Sequence, residues 1–258
     1  MLVFIGLGLF DEKDLSLRGI EEAKRAKKAY LELYTTAWFG NIKKLEEIFG
    51  KKVEILKRKD LEENSDRVLE EAKAQDIAIL VGGDPLVATT HSALILEARK
   101  RGIKTKVIHN SSIASAIAET GLHLYKFGPS VTIPFPDKTK GRLPESVYET
   151  IKMNKERGLH TLCLLDIDAE ENKLMGVKEA LEILLKIERA RKDGIIKLNE
   201  RIVVFSRAGS EENKIFFGEI KDLMKIEIKP PSVLIIPGLL HFTEKEFLSV
   251  MTSSFPRG

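Results

Sequence analysis

The sequence predicts an α/β protein made of two domains, and three observations lead to this prediction. Short apolar runs alternate with amphipathic helical patterns over the first half of the chain, an order typical of a parallel, doubly wound sheet. The segment Phe127–Pro144 then interrupts the alternation with the densest cluster of proline and glycine in the chain. A second alternation follows. The predicted organisation is an N-terminal α/β domain at 1–128, a connection at 129–144 and a C-terminal α/β domain at 145–258.

The elements of the first domain follow from the spacing of apolar residues. Apolar runs too short for helices predict five strands, whose order along the chain is Leu2–Ile5, Leu31–Tyr34, Val53–Leu56, Ile77–Val81 and Lys106–Ile108. Between them, apolar side chains recur at helical spacing. These patterns predict helices near Leu17–Ala23, Asn41–Phe49, Leu61–Lys73, His91–Lys100 and Ser112–Glu119.

The second domain shows fewer and longer elements. One strand is predicted within the connection and four beyond it, at Val131–Ile133, His160–Ile167, Ile202–Phe205, Lys214–Phe217 and Val233–Ile236. Helices are predicted at Glu145–Arg157, Val177–Arg191 and Thr243–Thr252. Thr243 as N-cap, with Glu246 three residues later, forms a capping box at the start of the last helix.

Composition excludes several classes of function. Forty-two Lys and Arg against 39 Asp and Glu leave a net charge of +3, and aromatic residues do not interleave with basic stripes, so no nucleic-acid partner is expected. The longest apolar stretches, such as Val233–Leu240, fall well below the length of a membrane span, and the apolar opening Met1–Phe10 lacks the basic start of a signal peptide. One cysteine allows no internal disulfide, which favours a reducing, cytoplasmic compartment.

The first candidate motif is the glycine turn after the first strand, Gly6-Leu7-Gly8. A dinucleotide fingerprint requires a third glycine at the position held here by Asp11, and an acid at a helix N-terminus repels phosphate. The turn is therefore a poor phosphate loop. Two interpretations stay open: a bare backbone that lies against a ligand without phosphates, or a plain turn at the end of a strand.

Further polar groups follow other strands, where ligand sites of open α/β sheets form. Asp84, after Gly82-Gly83, could face a ligand or close an Asx turn on its own backbone, and the sequence supports both interpretations equally. Ser111 or Ser112 could cap the next helix. Similar strand ends occur at Leu165-Asp166, Arg207–Ser210 and Pro237–His241. Together they favour a crevice between two sheets over a single reaction motif.

Other motifs with defined chemistry are absent. The sequence has no Walker loop, no Gly-x-Ser-x-Gly elbow and no His-Glu-x-x-His motif. Its five histidines lack the spacing of metal ligands, so no metal is expected and each histidine is interpreted as a hydrogen-bonded structural residue. Cys163, among leucines, is interpreted as a buried small hydrophobe.

Taken together, six strings resemble the diphthine synthase family, of the tetrapyrrole methylase type, in order and along essentially the whole chain. They are Gly6–Leu9, Gly83–His91, Gly121–Gly128, Gly158–Leu162, Arg207–Ser210 and Pro237–His241. The resemblance implies two α/β domains with the active-site cleft between them, S-adenosylmethionine as methyl donor, and a homodimer. It implies trimethylation of the amino group of a 3-amino-3-carboxypropyl-histidine on translation elongation factor 2, giving diphthine.

The resemblance also implies the residues that bind the donor. Matching the motifs position by position assigns donor contacts to Leu9, Asp84, Val87, Ser112, Ile113, Leu165, Ala208 and Ser232. The apolar members would wrap the donor, Ser112 would hydrogen-bond it and Asp84 would orient it. Ser232 stands where the family often has a histidine after a Pro-Pro pair, and Val81–Gly83 stands where archaeal relatives usually carry Thr-Pro-Gly. No residue is assigned as a catalytic base, because the methyl donor itself supplies the activated methyl group.

Three other functions are weighed against this one. A precorrin-type tetrapyrrole methyltransferase would share the fold but act on a small macrocycle. A nicotinamide-dependent oxidoreductase is disfavoured by Asp11 and by the lack of a ribose-binding acid after Leu33. A non-enzymatic scaffold is disfavoured, because the many polar strand ends of the kind that bind ligands would then have no function. Donor binding separates the methyltransferases from the last two, and the acceptor separates the two methyltransferases.

Overall fold

A computed structural model describes residues 1–169 and 171–252 of the chain. The chain divides into two compact units. The first comprises Met1–Ala116 with Ile167–Asn172, and the second comprises Ile117–Asp166 with Lys173–Gly258. Across the described residues, no helix combines the length and the apolar character that crossing a membrane requires.

The first unit is built on a five-stranded parallel sheet. Its strands are β1 (Leu2–Gly6), β2 (Lys28–Glu32), β3 (Val53–Leu56), β4 (Ile77–Val81) and β5 (Thr105–Ile108), in the order β3-β2-β4-β1-β5. Six helices belong to this unit: α1 (Leu17–Arg25), α2 (Ile42–Phe49), α3 (Arg58–Glu62), α4 (Asp66–Ala74), α5 (His91–Lys100) and α6 (Ile113–Ala116). A 3₁₀ turn spans Glu12–Asp14.

Alternate residues of each strand pack against opposite helical layers. Leu2 and Phe4 of β1 belong to the core that includes α4 and α5, whereas Val3 and Ile5 belong to the core that includes α1 and α2. Because side chains alternate across a strand, a sheet covered on both faces requires continuous apolar runs. This requirement explains the uninterrupted apolar character of β1 and β4. The doubly wound sheet predicted from the alternation is confirmed.

The second unit contains a mixed five-stranded sheet. Its strands are β6 (Val131–Ile133), β7 (Thr161–Leu165), β10 (Arg201–Ser206), β11 (Lys214–Glu219) and β12 (Ser232–Ile236), in the order β11-β10-β12-β7-β6. Two short strands, β8 (Ile167–Asp168) and β9 (Lys173–Leu174), lie between β7 and β10 in the chain. Only β6 and β7 pair in parallel, and the other three pairs are antiparallel.

Helices of the second unit cover one large core. They are α7 (Glu145–Glu156), α8 (Val177–Arg191), α9 (Ile220–Leu223) and α10 (Phe242–Thr252), with 3₁₀ turns at Ile117–Thr120 and Leu124–Lys126. Tyr148 and Ile151 of α7 and Leu181 and Leu184 of α8 are fully buried in this core. Both units are therefore α/β, as the sequence predicts.

Several predicted boundaries are wrong for identifiable reasons. The helix predicted at Leu61–Lys73 is two helices, α3 and α4, because the Glu63 and Asn64 amides both close onto Lys59 and end the first one. The helix predicted at Ser112–Glu119 is one α-helical turn followed by a 3₁₀ turn. The strand predicted at Leu31–Tyr34 begins three residues earlier, because β2 pairs with β3 on one side and with β4 on the other along this stretch.

The start of α10 also differs from the prediction. The helix begins at Phe242, so Thr243 lies inside it rather than capping it. Glu244 accepts a hydrogen bond from the His241 amide at 2.7 Å and thereby closes the N-terminus of the helix. The carboxylate of Glu244 also bonds residues distant in sequence, which local spacing does not reveal.

Candidate functional site

Three polar strand ends meet at the carboxyl edge of the first sheet. β1 lies between β4 and β5, and all three run parallel. The residues that follow them, Gly6-Leu7-Gly8, Gly82-Gly83-Asp84 and His109–Ser112, therefore come out side by side. In open α/β sheets this edge is where ligands bind.

The two glycine turns contact each other through their backbones. The Gly8 amide donates to the Gly83 carbonyl at 3.2 Å, and the Gly83 amide donates to the Gly8 carbonyl at 2.7 Å. A Cβ atom on Gly6 would lie 2.6 Å from the Gly83 oxygen, so Gly6 has to be glycine for the turns to approach. Gly8 and Gly83 have φ angles of +85° and +69°, which favour glycine.

The Asp84 carboxylate joins the ends of β4 and β5. Its Oδ1 accepts from the Leu86 amide at 2.9 Å, which is the Asx turn considered in the sequence analysis. Its Oδ2 accepts from the Asn110 amide at 3.1 Å and from Nδ1 of His109 at 2.8 Å. Asp84 is buried, so these bonds hold the turn that carries Val87 against the turn that precedes Ser112.

The other predicted donor-binding residues of the first unit follow the same three strands. Leu9, Val87 and Ile113 are partly exposed apolar side chains. Ser112 is buried next to Gly83, and among the described residues its hydroxyl has no hydrogen-bond partner in the first unit. The predicted helix cap is formed differently, because Oγ of Ser115 accepts from the Ser112 amide at 3.2 Å. Five of the eight predicted residues thus share one sheet edge, with a free hydroxyl among them.

The other three predicted residues share one edge of the second sheet. β12 is antiparallel to both β10 and β7, so its first residue, Ser232, lies beside the last residues of those two strands. Leu165 ends β7, and Ala208 follows β10 in a turn where Arg207 has a φ of +53°. Ser232 Oγ donates to the Lys229 carbonyl at 3.0 Å, so this hydroxyl helps to close the loop before β12.

Asp11 explains why the glycine turn does not suit a phosphate. Its side chain accepts from the Lys13 amide at 2.9 Å and caps the 3₁₀ turn that follows. Asp14 accepts from the Phe10 amide at 2.7 Å. The first backbone donors after the turn are therefore already satisfied by carboxylates, and added negative charge there is unfavourable. This arrangement argues against a nucleotide diphosphate.

Sequence reasoning missed the segment after β2. Glu32 is fully buried and accepts from both the amide and the hydroxyl of Thr35, each at 2.9 Å. Burial raises the pKa of Glu32 to about 7. The side chain of Thr36 occupies the space over Gly82, so this segment reaches the edge that carries Asp84. The signal in the sequence was an acid inside an otherwise apolar run.

The histidines and the cysteine lie where a structural role predicts. Buried His160 accepts from the Gly238 amide through Nδ1 at 2.9 Å and bonds Glu244 through Nε2 at 3.0 Å. Cys163 is fully buried, and burial raises the pKa of its thiol, which makes it a poor nucleophile. In the part of the chain that the structure describes, no three His, Cys, Asp or Glu side chains are grouped to hold a metal ion.

Comparison with known proteins agrees with this geometry. Residues 1–224 match the family model of tetrapyrrole (corrin/porphyrin) methylases. The chain is 47% identical over 255 residues to a diphthine synthase of Methanocaldococcus jannaschii, covering 97% of this chain and 98% of that protein. It is 44% identical over 253 residues to a diphthine synthase of Methanococcus aeolicus, with the same coverage. A crystal structure of a diphthine synthase superposes with a TM-score of 0.88 at 39% identity, covering 98% of this chain and 96% of that one. The chain therefore belongs to the tetrapyrrole methylase family and, within it, to the diphthine synthases.

Proposed function

We propose that the protein transfers methyl groups from S-adenosylmethionine to the amino group of a 3-amino-3-carboxypropyl-histidine on translation elongation factor 2. Three successive transfers would give diphthine, a step of diphthamide biosynthesis. The observation that carries this proposal is identity of 47% to a diphthine synthase along nearly the full length of both chains. Family membership makes the protein an S-adenosylmethionine-dependent methyltransferase, and the relatives do not favour a tetrapyrrole acceptor.

The residues at the two sheet edges fit this methyl donor. The donor has no phosphate, and the edge after β1 is closed to phosphate by Asp11 and Asp14. What the first edge offers instead is the hydroxyl of Ser112, which no described residue hydrogen-bonds, and the partly exposed side chains of Val87 and Ile113. Such a mixture of apolar surface and few polar groups suits an adenosine with an amino-acid chain.

In the second unit we propose that Leu165, Ala208 and Ser232 complete the donor contacts. Leu165 and Ala208 would supply apolar contact. Ser232 already donates its hydroxyl hydrogen to Lys229, which leaves its oxygen lone pairs and its backbone to bind. Asp84 would position the turns that carry Val87 and Ser112, because both of its carboxylate oxygens already accept hydrogen bonds within the first unit.

When bound, the donor supplies an electrophilic methyl group on a sulfonium, so the protein mainly has to orient the acceptor nitrogen. Near neutral pH the acceptor amine is mostly protonated, and each transfer uses its neutral fraction. The proton lost before each transfer can pass to water. The chain's task is then to bind both partners and to exclude water from the apolar contacts around Val87 and Ile113.

We further propose that the protein works as a homodimer in the cytoplasm. The second unit exposes large apolar side chains, with Tyr125 81%, Leu239 75% and Phe242 70% exposed. Apolar patches of this kind usually mark an interface. The free, buried Cys163 suits a reducing compartment. Light scattering tests both parts of this proposal: a wild-type monomer would refute the dimer, and a Phe242→Ser variant that dimerises as well as the wild type would refute this surface as the interface.

The decisive experiment is intact-mass analysis of elongation factor 2 that carries the unmethylated intermediate, incubated with the protein and S-adenosylmethionine. We expect one, two and then three methyl increments, confined to the modified histidine. The same factor lacking the 3-amino-3-carboxypropyl group is the matched control and should stay unchanged. If calorimetry shows donor binding but the mass of the factor does not increase, the proposed acceptor is wrong. The membership of the methyltransferase family would still stand.

A further inference from the structure

The segment between β2 and α2 crosses the carboxyl edge of the first sheet, and none of the proposed donor contacts lies on it. It comprises residues 33–41, and we call it the strap. The side chain of Thr36 fills the space over Gly82, after β4. The Phe39 amide donates to the Phe10 carbonyl, after β1, at 2.9 Å. The strap therefore passes over the ends of β4 and β1, beside the turns that carry the proposed donor contacts.

Buried carboxylates hold both ends of the strap. Glu32, fully buried at the end of β2, accepts from the amide and the hydroxyl of Thr35, each at 2.9 Å. Glu12, which is 7% exposed, accepts from the Asn41 amide at 3.0 Å. Hydrogen bonds to carboxylates are stronger than those between neutral groups. Because both ends are tied in this way, the side chains between them are presented at defined positions on the sheet edge.

Two aromatic side chains of the strap lie in different environments. Trp38 packs against the core that includes α1 and α2, and its ring occupies the space where a side chain on Gly40 would begin. Phe39 is 43% exposed and stacks on Phe10, with ring centroids 5.2 Å apart and planes inclined by 14°. Phe10 directly follows Leu9, a proposed donor contact. The strap thus offers an aromatic surface next to the edge where the donor is proposed to bind.

The chemistry of the acceptor decides which of its groups suits this surface. The carboxylate is repelled by the negative face of an aromatic ring. An ammonium is attracted to that face, but such a contact would stabilise the protonated amine, which has no lone pair to accept a methyl group. The imidazole is planar and stacks on aromatic rings. Three carbon atoms separate it from the amino nitrogen, so a ring held beside Leu9 leaves the nitrogen able to reach the methyl group of the donor.

We propose that Phe39, stacked on Phe10, binds the imidazole of the modified histidine and thereby sets where the amino nitrogen of the acceptor meets the donor. The assignment rests on the proposed function, which supplies an acceptor with this ring. Phe39 contributes binding and orientation and takes no part in proton transfer. The loss of one stacked ring should weaken acceptor binding about three- to tenfold.

The fluorescence of Trp38, the only tryptophan in the sequence, tests this contact without turnover. The probe is free 2-(3-amino-3-carboxypropyl)histidine, added after S-adenosylhomocysteine has filled the donor site. We expect the emission to change with this probe and not with L-2-aminobutyrate, which lacks the ring. Phe39→Tyr should retain the affinity for the probe, whereas Phe39→Leu should lower it about three- to tenfold. No change of emission, an equal response to L-2-aminobutyrate, or an unchanged affinity in Phe39→Leu would overturn the proposal.

Kinetics separates a failure of this contact from a failure of the proposed function. Phe39→Leu should raise the KM for the modified elongation factor about three- to tenfold and leave the KM for the donor unchanged. The matched control is Phe247→Leu, the same substitution at a ring that is 42% exposed on α10, and it should change neither KM.

Two results would overturn the contact while the wild type still methylates the factor. One is a KM for the factor that is equal in Phe39→Leu and Phe247→Leu. The other is a raised KM for the donor in Phe39→Leu, which would place the aromatic pair against the donor instead. If the wild type does not methylate the factor, the proposed function itself fails, and the acceptor contact fails with it.

Discussion

Replacing Asp84 by Asn tests how the first sheet edge is held together. The carboxylate accepts three hydrogen bonds, from the amides of Leu86 and Asn110 and from the His109 ring. An amide has one oxygen and one NH₂ group, so in either orientation an N–H of the backbone faces another donor. A buried donor without a partner costs about 1–3 kcal/mol, whereas the bond from His109, whose side chain is 68% exposed, contributes little. The expected loss of stability is about 2 kcal/mol.

The same substitution should weaken donor binding, because the turns that carry Val87 and Ser112 are joined through Asp84. Urea unfolding measures the stability, and calorimetry with S-adenosylhomocysteine measures the affinity, which should fall about tenfold or more. His109→Ala is the matched control, since it removes only the exposed partner and should change stability by less than about 1 kcal/mol. Equal behaviour of Asp84→Asn and His109→Ala in both assays would refute the positioning role.

Three further substitutions test other parts of the structure. Gly6→Ala would place a Cβ 2.6 Å from the Gly83 oxygen and should cost about 3 kcal/mol, whereas Gly176→Ala, with open space around it, should cost at most about 0.5 kcal/mol in the same urea assay. Burial opposes the ionisation of Glu244, but its hydrogen bonds outweigh this and lower its pKa from 4.5 to about 2. Ionised Glu244 therefore adds about 3 kcal/mol above pH 4.5, which is lost as the pH falls toward 2, and Glu244→Gln should flatten the acid branch of the stability curve. Burial raises the pKa of Glu32 from 4.5 to about 7, so the contribution of Glu32 to stability is greatest below pH 4.5 and declines by about 3 kcal/mol as the pH rises to 7. Glu32→Gln should remove that decline, and a variant that keeps it would contradict the assignment.

Local patterns were sufficient for most of the first unit. The strands at Val53–Leu56 and Ile77–Val81 are those predicted, because a parallel sheet buried on both faces imposes a continuous apolar run that no other element of that length needs. The two short helices α3 and α4 were merged in the prediction, since their apolar spacing stays in register across the break. The hydrogen bonds that end a helix leave a weaker signal in the sequence than a change in the spacing of apolar residues does.

The predicted donor residues illustrate what similarity adds and what it leaves open. Asp84 could be interpreted from the sequence alone as an Asx turn or as a ligand contact, and the structure shows the Asx turn. The grouping of Leu165, Ala208 and Ser232 depends on two antiparallel pairings with β12. Nothing in the local pattern around these residues reveals strand order. Their roles toward the donor remain predictions that the binding assays above address.

By itself, the sequence determined the α/β class, the parallel first sheet and the membership of a methyltransferase family, because these depend on periodicity and on motifs of contiguous residues. Only the tertiary structure decided which polar groups are paired. Glu32 and Glu244 became buried hydrogen-bond acceptors, and among the described residues Nε2 of His91 was left without a hydrogen-bond partner. The protonation and partners of a side chain depend on the groups packed around it, and those groups come from distant parts of the chain.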